Sequence, residues 1–180
     1  MPHTTNDTLH LVALSTMLML ALYQDAKHRK IPNTIVLAGM LTGLGLAVMP
    51  TGMGLFASFM GGMVGLVLFG PLYFLRFLGA GDVKLVSATG FFVGFPEIAK
   101  VALCILLTGG VLSFAWGFWT AQLMPALLNL KSLWARQMQR FHARASSPHH
   151  GFIPTLERVP YAIAIAAGTW LQEATPWSPL

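Results

Sequence analysis

The chain has 180 residues, 55% hydrophobic and 9% charged, with a net charge of +5 and mean hydropathy of +0.65. An ordinary soluble domain is about a quarter charged, so this composition excludes a water-facing surface over most of the molecule and points to one polytopic membrane domain spanning 1–180. A basic balance suggests nucleic acid in a soluble protein; here its first use is topological, because Lys and Arg gather in cytoplasmic loops, and no nucleic-acid partner is expected.

Residues 1–8 contain Asp7 and no Lys or Arg. The basic region of a signal peptide is therefore missing, and the first apolar run is expected to be retained as a span. Six apolar segments follow in order, near 9–23, 34–49, 52–75, 83–95, 98–124 and 159–171. Several fall short of the roughly 20 residues that a perpendicular helix needs to cross the hydrocarbon core. Either their ends extend into polar flanks or the bilayer thins around them. The runs lack the alternation of barrel strands, and backbone groups in lipid must be satisfied internally. The expected fold is all-α, a bundle of six transmembrane helices.

Between the fifth and sixth segments, Leu127, Leu130, Trp134, Met138 and Phe141 recur at three- and four-residue steps, with Ser132, Arg136, Arg140 and Arg144 as a polar stripe. That spacing predicts an amphipathic helix over about 127–144, lying at the cytoplasmic interface with membrane lipids as its partner. The His149-His150 pair sits in a Ser/Pro/Gly stretch and reads as a solvated turn rather than a metal site. Cys104, the single cysteine, lies in an apolar run and reads as a packed thiol.

The loops set the topology. Lys27, Arg29 and Lys30 follow the first segment, Arg76 and Lys84 flank the third loop, and Lys131, Arg136, Arg140, Arg144 and Arg158 fill the fifth. If six segments cross, these ten fall on one side and only Lys100 on the other. Both termini are then outside and the basic loops cytoplasmic. Asp25 and Asp82, 57 residues apart in sequence, come out on the same face, each at the edge of a span.

An acid in or beside a bilayer is costly and marks a functional site by default. Taken singly, Asp82 reads as a helix cap and Asp25 as a turn residue beside Lys27 and Arg29. Taken together they are the cytoplasmic-side acids other than Glu157, and each is followed by Lys at the second position. Two adjacent carboxylates share one proton, so one can serve as general base on a water and the other as general acid on a carbonyl. Such chemistry needs neither cofactor nor metal. Gly79 and Gly81 permit unusual backbone angles and close approach of another chain. The competing classes are a small ion- or proton-coupled transporter, whose acids belong nearer the midplane, and a non-catalytic scaffold of a pilus or secretion machine, in which the two acids stand apart.

At these residues the sequence resembles the prepilin peptidases, membrane aspartic proteases of the GxGD class. Asp25-Ala26-Lys27-His28-Arg29-Lys30-Ile31-Pro32-Asn33 is similar to the family's first-aspartate loop, Gly79-Ala80-Gly81-Asp82-Val83-Lys84 to its second-aspartate motif, and Val159-Pro160-Tyr161-Ala162 to the Pro-aromatic start of its last span. The resemblance implies that Asp25 and Asp82 are the catalytic pair, with Lys27, Ile31, Pro32, Asn33, Gly79, Gly81, Lys84, Pro160 and Tyr161 in support. It implies cleavage of the basic leader of type IV prepilin or pseudopilin precursors at the cytoplasmic edge of the bacterial inner membrane. The paired-cysteine insertion of larger relatives, linked to N-methylation, has no room here. The chain looks like the short, peptidase-only form that serves Flp-type (tight adherence) pili.

Overall fold

The computed structural model describes residues 5–50, 52–75, 78–119 and 161–174. The expected amphipathic helix near 127–144, the His149-His150 turn, Arg76 and Pro160 lie outside them. Six α-helices are described: α1 (Thr5–His28), α2 (Asn33–Ala47), α3 (Leu55–Phe74), α4 (Ala80–Val93), α5 (Glu97–Trp119) and α6 (Tyr161–Ala174). Each overlaps one of the six apolar segments. Three helices are long and apolar enough to cross a membrane: Thr8–His28, Leu55–Phe74 and Glu97–Ala115. The chain divides into two compact units, Met1–Gly109 with Pro160–Leu180, and Gly110–Val159. The first unit carries α1–α4 and α6, and with them both acids.

The two helix ends that carry the acids differ from the expectation. The first helix does not stop at Tyr23 but runs to His28, because Gln24, Asp25, Ala26 and Lys27 carry no helix breaker. It ends where Arg29 takes a positive φ of 51°, with Ile31 and Pro32 beyond. Asp25 is therefore in the last turns of a helix rather than in a loop. The fourth helix starts three residues before the apolar run, at Ala80, so Asp82 is in its first turn.

α4 is the centre of the unit. Eight of its 14 residues are buried (Val83, Leu85–Gly90 and Phe92), and a helix apolar all round belongs in the interior. It packs against α1, α2, α3 and α6. Its antiparallel seam with α3 is made by small residues. A Cβ at Gly61 would overlap Gly90 O, and one at Gly65 would stand 3.1 Å from Val86 O. Backbones that close can exchange hydrogen bonds directly. Ser87 Oγ donates to Gly62 O (2.9 Å) and Ser58 Oγ to Phe91 O (2.6 Å). α2 runs parallel to α4, with Gly43 placed so that a Cβ would stand 3.0 Å from the Phe91 carbonyl carbon.

α5 and α6 pair antiparallel: Thr108 Oγ1 donates to Ala164 O (3.0 Å), and Gly168 gives space to the Ile105 backbone. Trp170 Nε1 donates to Ser15 Oγ (3.3 Å), joining α6 to α1. Among the described residues every buried side-chain N or O atom has a hydrogen-bond partner. Large apolar side chains meanwhile cover the outside; Phe56 is 77% exposed and Phe74 68%. A polar-satisfied interior under an apolar exterior is what lipid solvation demands. With three helices of spanning length, it marks a membrane protein. Lys100, the basic residue set apart by the loop-charge count, is paired with Glu97 at 2.8 Å.

Candidate active site

The two acidic motifs meet at one end of the bundle. The turn from α1 to α2 is Arg29–Pro32, four residues between the helix ends. Pro32 sits extended (φ −64°, ψ 137°) as the N-cap of α2, which directs Asn33 toward α4. Lys84 Nζ donates to Asn33 Oδ1 at 3.0 Å. Ile31 packs on the first turn of α4, where a Cβ on Gly81 would stand 3.2 Å from the Ile31 Cβ. These contacts hold the Asp25 turn against the Asp82 turn.

Asp82 is third in α4. Its Oδ2 accepts the Gly79 N–H at 3.0 Å, which satisfies an orphan donor at the helix start and orients the carboxylate. Asp25, half-buried near the end of α1, lies in electrostatic range of the Ala162 backbone N–H and of the Arg29 charge. Ala162 is the second residue of α6. The residue before it, Tyr161, is half-buried and lies in electrostatic range of Asp82. One dipeptide at the head of α6 therefore lies in electrostatic range of both acids. A carboxylate has about four lone-pair sites, so the one backbone donor on Asp82 fixes its plane without exhausting its capacity.

The supporting residues separate into distinct roles. Lys27 does not lean on Asp25; its Nζ lies 3.5 Å from the Tyr23 hydroxyl and 5.7 Å from that ring's centroid. Gly79 is ordinary extended backbone (φ −77°, ψ 154°), so the expected unusual angle is not used there. The space left by Gly81 is filled by Ile31 of the same chain. Two participants escaped the sequence reading. Ala162 contributes only a backbone N–H, which no side-chain pattern reveals. Gly109 lies against the Tyr161 ring; its only signal was a Gly-Gly pair in an apolar run.

Both acids fall within residues 12–128, the stretch that matches the family model described as the type IV leader peptidase family. The chain matches no curated protein and no solved structure at a significant level. The family match covers well over half of the 180 residues, and on that ground the chain belongs to the type IV leader peptidase family.

Proposed function

We propose that the chain is a membrane-embedded aspartic endopeptidase that removes the basic leader of type IV prepilin-like precursors, with Asp25 and Asp82 as its catalytic pair. What supports this reading is that the Lys84–Asn33 bond and the Ile31–Gly81 contact draw the two acid-bearing segments together, with the head of α6 in electrostatic range of both acids. One carboxylate, ionised, takes a proton from a water between the pair. The other, protonated, donates to the scissile carbonyl oxygen as the water attacks. As the tetrahedral diol collapses, one hydroxyl returns its proton to the second carboxylate while the proton taken from the water goes to the leaving amine, and the dyad is restored.

The position of the acids in their helices favours this reading over an ion-coupled transporter. Asp25 is three residues from the end of α1 and Asp82 is third in α4, at the membrane edge rather than at mid-depth. That edge is where the apolar helix of a precursor meets its basic leader. All six helices cross in this reading, with both termini outside the inner membrane. At 1.5 Å per residue the 14 or 15 residues of α2, α4 and α6 reach only about 21–23 Å, so the bilayer thins around them. The four-residue α1–α2 turn has no room for a methylation-linked insertion, which supports a peptidase-only enzyme.

Co-expression with a type IV prepilin tests the proposal. The wild-type chain is expected to shorten the precursor, and Asp25→Asn and Asp82→Asn to leave it full length. Trimming by either variant at the wild-type rate would remove the dyad from the mechanism.

A further inference from the structure

The seam between α5 and α6 lies one turn from the site. Thr108 Oγ1 holds Ala164 O at 3.0 Å, which fixes the two helices side by side just beyond Tyr161. At that level Gly109 is buried against the Tyr161 ring. A Cβ there would overlap the phenol oxygen and stand 2.7 Å from Cε2 and Cζ. The adjacent Gly110 is different: a Cβ on it meets nothing within 4 Å among the described residues. The three atoms nearest to a Cβ at 109 all belong to the tyrosine.

Tyr161 and Ala162 share a planar peptide, so the seat of the ring and the direction of the Ala162 N–H are not independent. α6 packs against both α1 and α4, the helices that carry Asp25 and Asp82, and its head lies in electrostatic range of the two acids. We propose that Gly109 is a positioning residue for the carboxylate pair: by carrying no side chain it seats Tyr161 against α5 and so sets the head of α6 between Asp25 and Asp82. This rests on the dyad reading above. A methyl group at 109 meets first the far end of the tyrosine side chain, which can swing away. The fold then survives while the site shifts, and the loss falls on rate more than on stability.

The test uses the full-length protein in liposomes with a prepilin substrate, comparing wild type, Gly109→Ala, Gly110→Ala, Tyr161→Ala and the Gly109→Ala/Tyr161→Ala double variant. A misplacement of about 1 Å costs up to about 100-fold in rate. Gly109→Ala is therefore expected to lower kcat by about 10- to 100-fold, to leave KM within about twofold and to shift the pH–rate profile. Gly110→Ala is expected to match wild type. In the Tyr161→Ala background the added effect of Gly109→Ala should fall below about twofold, the non-additivity of contacting residues. Wild-type kcat in Gly109→Ala, an equal loss in Gly110→Ala, or an undiminished loss over Tyr161→Ala each overturns the proposal. If Gly109→Ala does not accumulate folded, Tyr161→Ala alone decides: it must lose a comparable factor in kcat, and wild-type turnover overturns the seat. A wild-type chain that cleaves no prepilin sinks the proposed function and this role together; a cleaving wild type with a silent Gly109→Ala sinks only the role.

Discussion

Replacing Gly90 with alanine puts a methyl group where α3 and α4 touch backbone to backbone. A Cβ at that position would overlap Gly61 O and stand 2.6 Å from Gly61 C and 2.9 Å from Gly62 N. Carbon atoms rest about 3.5–4.0 Å apart, and no rotamer moves a backbone, so the helices must separate by about 1 Å. The seam's two side-chain hydrogen bonds, Ser58 to Phe91 O at 2.6 Å and Ser87 to Gly62 O at 2.9 Å, then stretch to about 3.6–3.9 Å and are lost. Bonds of this kind inside a membrane contribute about 0.6 kcal/mol each, and overpacking costs about 1–3 kcal/mol. The sum is a destabilisation of about 2–4 kcal/mol. Reversible unfolding in mixed detergent micelles measures it, with Gly45→Ala as the comparison. A Cβ on Gly45 meets nothing within 4 Å among the described residues, so that variant is expected to be neutral or stabilised by up to about 1 kcal/mol. Equal stabilities for Gly90→Ala and Gly45→Ala would refute the backbone-contact seam.

Three further outcomes are expected at the site. Lys84→Met and Asn33→Ala each remove the same exposed hydrogen bond and should cost under about 1 kcal/mol in the same unfolding assay, with the double variant no worse than the worse single one; additive losses contradict the pairing. Gly81→Val drives a branched side chain into Ile31, with an expected destabilisation of about 1–3 kcal/mol and loss of most prepilin cleavage; a stable, fully active variant means that the Ile31 contact does not hold the two turns together. Cleavage by the wild type should follow a bell-shaped pH profile, because one carboxylate must be charged and its partner protonated, and a profile with a single limb speaks against a pair.

Hydropathy located the six described helices because the apolar runs are interrupted by Pro, Gly and charge. At the two ends that carry the acids it stopped short, because Gln24 to His28 and Ala80 to Asp82 are polar or small yet helix-competent, so these helices outlast the apolar pattern. Loop charge put Asp25 and Asp82 on one face, and the Lys84–Asn33 bond and the Ile31–Gly81 contact draw their two segments together. The resemblance put Pro160 and Tyr161 at the head of the last span in support, but the part of Ala162 could not be read in advance. A backbone N–H at Ala162 looks the same in any sequence, and apolar spacing alone does not tell which glycine of the 109–110 pair faces a ring. The hydroxyls of Ser58 and Ser87 clasp the seam between α3 and α4.

The dyad itself is best tested by steady-state cleavage with purified wild type, Asp25→Asn, Asp82→Asn and the double variant, all checked for equal unfolding stability. Residues that act as one unit are strongly non-additive in kcat. Each single variant is expected to lose at least about 1,000-fold, and the double variant to be no slower than the slower single one. Two single losses that multiply in the double variant, or an Asp82→Asn enzyme that still turns over near the wild-type rate, would contradict a shared-proton pair.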